Sequence, residues 1–130
     1  MIVGIGIDLV SIKQAQRLVD TWGDRFLNKV FTPAEVASGK ARPDPASEFA
    51  AWFAAKEAVQ KALGAGIFAG ISFKSIEVIA EPGLRPEIRL SGPAQARAEQ
   101  MNADAVHLSL THEEGYAAAM AVIENRGGAK

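Results

Sequence analysis

The segment Ile2–Val10 constrains this chain more than any other, because its odd and even positions are of opposite kinds. Ile5, Ile7 and Leu9 fall on one side of a strand and Gly4, Gly6 and Asp8 on the other, since successive side chains alternate. Two glycines on one strand face mark a surface that another backbone or a ligand approaches closely. Asp8 ends that face, so its carboxylate stands where the approach occurs. The segment reads as a buried strand. It is too short to span a bilayer, and its acid and the lack of a basic flank make it a poor secretory signal.

A second segment, FAAKEAVQKALGAG (Phe53–Gly66), gathers its charges in an otherwise apolar helix that Ser47 opens and Gly64 and Gly66 close. At 100° per residue, Phe49, Trp52, Val59 and Leu63 form a bulky stripe, while Ala54, Ala55, Ala58 and Ala62 form a smooth face suited to close packing on a sheet. Lys56, Glu57, Gln60 and Lys61 share the remaining sector. Such a helix is apolar around most of its circumference and belongs at the centre of a domain. Glu57 and Lys61 stand i, i+4 with the acid first, a pairing worth about 0.2–0.5 kcal/mol on an exposed face. From the helix alone, a solvated salt-bridged strip and a binding site both remain open. Asp8 and Glu57 together change the balance, because Mg²⁺ prefers one or two carboxylates plus phosphate oxygens. The lysines and the exposed amides of Gly64-Ala65-Gly66 would supply the phosphate side.

The remaining pattern gives an α+β class. Ser11 and Gln14 begin a helix through about Trp22 as an S-x-x-Q capping box, and Thr32-Pro33-Ala34-Glu35 begins a short one ending near Gly39. Phe73–Ile79 and Glu87–Leu90 read as strands joined around Pro82-Gly83, and Gly92-Pro93 opens a helix to about Asn102. Val106, Leu108 and Leu110 alternate with His107, Ser109 and Thr111. His112–Gly115 is read as the turn before a small-residue strand, Tyr116–Ile123. The order β-α-α-α-β-β-α-β-β, with strand pairs joined by short turns, predicts a largely antiparallel single domain over residues 1–124 and a flexible tail over 125–130. A formal net charge of −1 argues against general nucleic-acid binding, so an anionic partner must be held by a local cluster. The absence of cysteine excludes disulfides, a thiolate metal site and a cysteine nucleophile, and agrees with a reducing cytoplasm.

GIGIDLV (Gly4–Val10), FAAKEAVQKALGAGI (Phe53–Ile67) and HLSLTHEEGYAAA (His107–Ala119) resemble the three signature segments of the holo-acyl-carrier-protein synthases. These are the small type of 4′-phosphopantetheinyl transferase, and the likeness runs in family order from Ile2 to about Glu124. DLVSI, FTPAE and SLTHE look most like actinobacterial members. The resemblance implies transfer of 4′-phosphopantetheine from coenzyme A to a serine of apo-acyl carrier protein, releasing adenosine 3′,5′-bisphosphate. It implies Asp8 and Glu57 as Mg²⁺ ligands, a cytoplasmic homotrimer, and a coenzyme A site between neighbouring subunits. The fold it implies is that of the 4′-phosphopantetheinyl transferases.

Breaking a pyrophosphate requires stabilisation of charge on the leaving group, which makes Lys56 and Lys61 candidates for phosphate contacts alongside Gly64 and Ser109. His112 matches the family's S-x-S-H segment and is a candidate ligand contact; Thr111 stands where serine is usual, and His107 reads as structural. Glu57, the His112–Glu113 pair and water held by the metal are the alternatives for receiving the serine proton. Gln14 stands where the family commonly has an arginine that meets the acidic carrier protein, and Trp52 replaces another arginine. Lys13, Arg17 and Arg25 are then the docking candidates for an acyl carrier protein or a carrier domain of a fatty-acid synthase. A non-catalytic coenzyme A or carrier-protein binding module, and a plain trimeric scaffold, are the competing readings. The scaffold leaves Asp8, Glu57 and Lys61 without a purpose.

Overall fold

The computed structural model describes residues 1–64 and 70–127. The glycine-faced segment is strand β1 (Ile2–Ser11), and the close approach expected of it is made by the long helix α4 (Pro45–Ala62). A Cβ placed on Gly4 would lie 2.9 Å from the Ala62 carbonyl carbon, and one on Gly6 2.8 Å from the Ala62 nitrogen. Only glycine lets helix backbone lie directly on strand backbone here. The alanine face of α4 meets this strand from the other side, with Ala54, Ala55 and Ala58 fully buried.

Strand β1 pairs antiparallel with β5 (Tyr116–Glu124), which pairs antiparallel with β4 (Ala105–Glu113), giving the order β1-β5-β4. The inner face of this sheet carries Ala117, Ala119, Ala121 and Ile123 against α4, all buried. A separate hairpin of β2 (Ile76–Ile79) and β3 (Glu87–Leu90) packs on the side of α4, entered through a 3₁₀ turn at Phe73–Ser75 where continuous strand was expected. Helix α1 (Ile12–Trp22) and helix α2 (Asp24–Val30) cover one end, and α3 (Pro33–Lys40) and α5 (Gly92–Gln100) complete the domain.

The α+β class and strand order agree with the sequence pattern, with one helix added. Helix α2 follows α1 directly at Gly23, whose φ of 56° breaks the helix without a loop, so the sequence offered no polar linker to mark the join. Ser11 caps α1 by accepting from the Gln14 amide, one half of the expected box, whereas Thr32 and Glu35 complete theirs in both directions. Asp44 rather than Ser47 caps α4, with Pro45 in its first turn; the Ser47 hydroxyl and amide both donate to the Asp44 carboxylate, which holds that carboxyl below its ordinary range. The turn between β4 and β5 is only Glu114-Gly115, so His112 and Glu113 belong to the strand. Asn125 and Arg126 hydrogen-bond to Met1 and Asp104, and residues 128–130 lie outside the described residues.

The apolar side of β1 is the larger correction. Ile5, Ile7 and Leu9 are not buried but 65%, 67% and 64% exposed, because the glycine side is the one that faces the core. Their cross-strand neighbours on the same outer face include Met120 and Tyr116, also exposed.

Candidate active site

The two carboxylates singled out by sequence meet. Asp8 and Glu57 line one cleft of about 220 Å³ together with Ser11, Gln14, Leu18, Phe26, Phe49 and Phe53. β1 delivers Asp8 as the inward position after Gly6, with Val10 the last one before α1, and α4 delivers Glu57 from the turn that crosses the strand. Burial raises the Glu57 pKa, the Asp8 charge raises it further, and Lys61 partly opposes both. Two acids brought this close repel one another unless a cation lies between them. Lys61 serves that purpose in part: its ammonium donates to Asp8 Oδ1 at 3.0 Å and to the Ile7 carbonyl at 3.0 Å. The Glu57–Lys61 pair expected from i, i+4 spacing is thus replaced by one across two elements, with the Asp8 side chain 13% exposed.

The donor set suits a hard divalent cation. Among the described residues no group of three or more His, Asp or Glu gathers as a metal cage. Two carboxylates at an open cleft leave most of a cation's shell to other oxygens, the pattern of Mg²⁺ bound with phosphates rather than of a closed protein site.

Lys56 does not join this cluster. Its side chain is fully buried, and its three donors are consumed by Glu35 Oε1 at 2.8 Å, the Phe73 carbonyl at 2.9 Å and the Ile76 carbonyl at 2.6 Å. Desolvation lowers its pKa, with Glu35 opposing. A phosphate contact from Lys56 would require breaking all three bonds, so the expectation that placed it beside Lys61 gives way. Helix periodicity grouped the two lysines, but only the packed hairpin decided that one of them faces inward. Glu35 was legible as a capping residue; that the same carboxylate also holds Lys56 and the Val78 amide, at 2.7 Å, was not.

The β4 candidates divide between the two sheet faces, as adjacent strand residues must. His112, opposite Ala117, shares the inner face with Asp8 and lies near the Asp44 cap of α4, whose charge it influences. Ser109, opposite Met120, and Glu113, opposite Tyr116, fall on the outer face beside the exposed isoleucines. The His112–Glu113 pair therefore cannot act as a unit on one reacting atom. None of the three lines the cleft that holds Asp8 and Glu57. His107 Nε2 donates to Glu124 Oε1 at 2.9 Å, in keeping with a structural place. Gly64, with φ of 64°, ends α4 as expected; Ala65 and Gly66 lie outside the described residues.

Gln14 lines the cleft, while Trp52 is 1% exposed and lies beneath Arg42, whose guanidinium carbon is 5.5 Å from the ring centre. Position 52 is thus a core position here rather than a docking one. Lys13, Arg17 and Arg25 are all exposed. Arg25 and Lys29 border a groove of about 300 Å³ with Leu18, Trp22 and Phe26, which adjoins the carboxylate cleft through Leu18 and Phe26.

The model of the 4′-phosphopantetheinyl transferase superfamily matches residues 4–121. The chain belongs to that superfamily. Within this transferase family, a holo-[acyl-carrier-protein] synthase of Solidesulfovibrio magneticus is 43% identical over 124 residues, covering 95% of this chain and 99% of the relative. One from Koribacter versatilis is 39% identical over 125 residues, covering 96% and 100%. The crystal structure of the holo-[acyl-carrier-protein] synthase of Neisseria meningitidis superposes with a TM-score of 0.86 at 35% identity, covering 95% of this chain and 99% of that one. That of Helicobacter pylori, in complex with coenzyme A, gives 0.80 at 33% identity, covering 92% and 99%. The expected actinobacterial leaning is not borne out, since transferases of such different bacteria match over nearly the whole chain.

Proposed function

We propose that this chain is a holo-[acyl-carrier-protein] synthase working through the cleft between β1 and α4. It transfers 4′-phosphopantetheine from coenzyme A to a serine of apo-acyl carrier protein and releases adenosine 3′,5′-bisphosphate. The observation that carries this is the meeting of Asp8 and Glu57 at an open cleft, with Lys61 bonded to Asp8. A binding module without catalysis would have no need to keep two mutually repelling acids together.

Asp8 and Glu57 would hold Mg²⁺. The ion, when bound, neutralises the pyrophosphate and stabilises charge on the departing bisphosphate. Lys61, half exposed at its side chain, exchanges its Asp8 contact for a phosphate oxygen and so brings a second positive charge to the leaving group. Glu57 is the one candidate proton acceptor that lines the cleft, which makes its carboxylate the nearest group to receive the serine proton. Phe49, Phe53 and Phe26 exclude water from the other wall, which strengthens each of these charge interactions.

Ser109 and Glu113 face outward beside Ile5, Ile7, Leu9 and Met120, a contiguous apolar face larger than isolated surface residues produce. Copies of this chain cover that face in a homotrimer, so Ser109 of one subunit serves a coenzyme A bound at its neighbour. The acidic carrier protein docks on α1 and α2, where Leu18, Trp22 and Phe26 offer an apolar groove and Lys13, Arg17, Arg25 and Lys29 offer charge. The use of coenzyme A as donor and the absence of cysteine support a cytoplasmic reaction. The test is mass spectrometry of an apo-acyl carrier protein incubated with coenzyme A, Mg²⁺ and the folded protein. The expected product is the carrier bearing one phosphopantetheine; an unmodified carrier across a panel of plausible acceptors would overturn the reading.

A further inference from the structure

We propose that the buried Glu35–Lys56 pair is a positioning device that fixes the rotation of α4 and thereby aims Glu57 at Asp8. The proposal rests on the reading of Asp8 and Glu57 as the metal-holding pair. Neither Glu35 nor Lys56 touches the cleft, and both are nearly or fully buried, with Glu35 2% and Lys56 0% exposed.

The pair ties three elements at one point. Glu35 Oε1 accepts from the Thr32 amide at 2.8 Å and from Lys56 at 2.8 Å, and Glu35 Oε2 accepts from the Val78 amide at 2.7 Å. Lys56 adds the Phe73 and Ile76 carbonyls, and its ammonium lies 5.4 Å from the centre of the Phe31 ring. One turn further along α4, Gln60 donates to the Ile71 carbonyl at 3.0 Å. The N-terminus of α3, the middle of α4 and the entry to β2 are thus joined through two charged groups, with all three Lys56 donors engaged and Glu35 accepting three hydrogen bonds.

Stability alone does not call for such a pair. Removing two charges from water is costly, and a buried ion pair can often be exchanged for apolar residues of similar volume without loss. What apolar residues supply poorly at this position is registry. The faces of α4 and β1 that meet are alanine and glycine, which have no side-chain ridges to resist a slide or a turn of the helix. Hydrogen bonds from Lys56 to fixed carbonyls are directional and admit one rotation. Glu57 is the next residue, so its direction follows from that of Lys56. A metal-holding carboxylate must be placed to within about 0.5 Å, and losing the groups that orient such ligands typically costs about 10–100-fold in metal affinity.

The test compares Glu35→Gln/Lys56→Met, which removes the pair without leaving a lone buried charge, with the wild-type protein. Mn²⁺ binding is read by electron paramagnetic resonance with coenzyme A present, alongside the Mg²⁺ concentration that half-saturates transfer. The expected result is a folded protein in which both half-saturation values rise by about 10–100-fold. If the double variant does not fold, Glu35→Gln alone, which preserves shape, is used, with a rise of about 10-fold expected. A folded variant with wild-type half-saturation for both ions overturns the proposal. Glu57→Gln separates the two ideas: if it too leaves Mn²⁺ binding unchanged, the metal reading itself has failed. If it weakens binding while the Glu35 and Lys56 variants do not, only the positioning role has failed.

Discussion

Replacing Gly6 by alanine tests whether the strand and helix backbones are in true contact. The new Cβ would lie 2.8 Å from the Ala62 nitrogen and 3.0 Å from the Ala58 carbonyl carbon, with the Ala58 carbonyl oxygen closer still. Ordinary contact begins at 3.4 Å, so α4 must move away by about 0.6 Å to clear the nitrogen alone, and further to clear the oxygen. All three atoms are backbone, so no rotamer change relieves the overlap. Overpacking of a core costs about 1–3 kcal/mol when side chains can adjust, and this site belongs at or above the upper end. For a domain of this size that corresponds to a fall in Tm of roughly 10–15 °C. The displaced helix also carries Glu57 and Lys61, so transfer activity should fall at temperatures where the variant is still folded. Gly83→Ala is the control, because Gly83 has φ of 81° and nothing within 4 Å of its Cβ position. Its conformational strain alone costs about 1–2 kcal/mol. Thermal unfolding and half-saturating Mg²⁺ measured on both variants decide the matter. If Gly6→Ala lowers Tm no more than Gly83→Ala and leaves the Mg²⁺ requirement unchanged, the account of β1 against α4 is wrong.

Three further outcomes are expected. Glu57 has a folded pKa above the ordinary 4.5, so its ionisation costs stability that is intact below pH 4.5 and lost as pH rises through the folded value. Metal-free Glu57→Gln should therefore melt above the wild type at neutral pH and level with it near pH 4; a constant difference across that range would contradict the burial and Asp8 repulsion assigned to it. Lys61→Ala should raise the KM for coenzyme A by about tenfold or more through loss of a charged phosphate contact, measured by initial rates at saturating Mg²⁺, and an unchanged KM would remove Lys61 from the phosphate role. If the proposed trimer forms through the outer face, Ile7→Lys should convert it to monomers in sedimentation velocity while leaving circular dichroism unaltered, and a variant with the wild-type sedimentation coefficient would show that this face is not the interface.

The sequence by itself determined the glycine-faced strand, the alanine-faced helix, the caps at Ser11 and Thr32, and the order of the strands. These features are local: they depend on side-chain alternation, on the 3.6-residue period and on turn chemistry, all readable within a few residues. It also singled out the two carboxylates that the fold brings to one cleft, since an acid closing a glycine face and an acid on an apolar helix are each out of place. What it could not give was direction. Which side of β1 faces the core depends on what packs there, and glycine's lack of a side chain drew α4 to the side that hydrophobicity alone would have left to solvent. Which lysine meets the cleft depended on a hairpin more than a dozen residues away, whose carbonyls and Glu35 turned Lys56 inward and left Lys61 to Asp8. Periodicity places residues on a helix sector; only partners brought from distant parts of the chain decide which member of that sector is buried and which one meets a substrate.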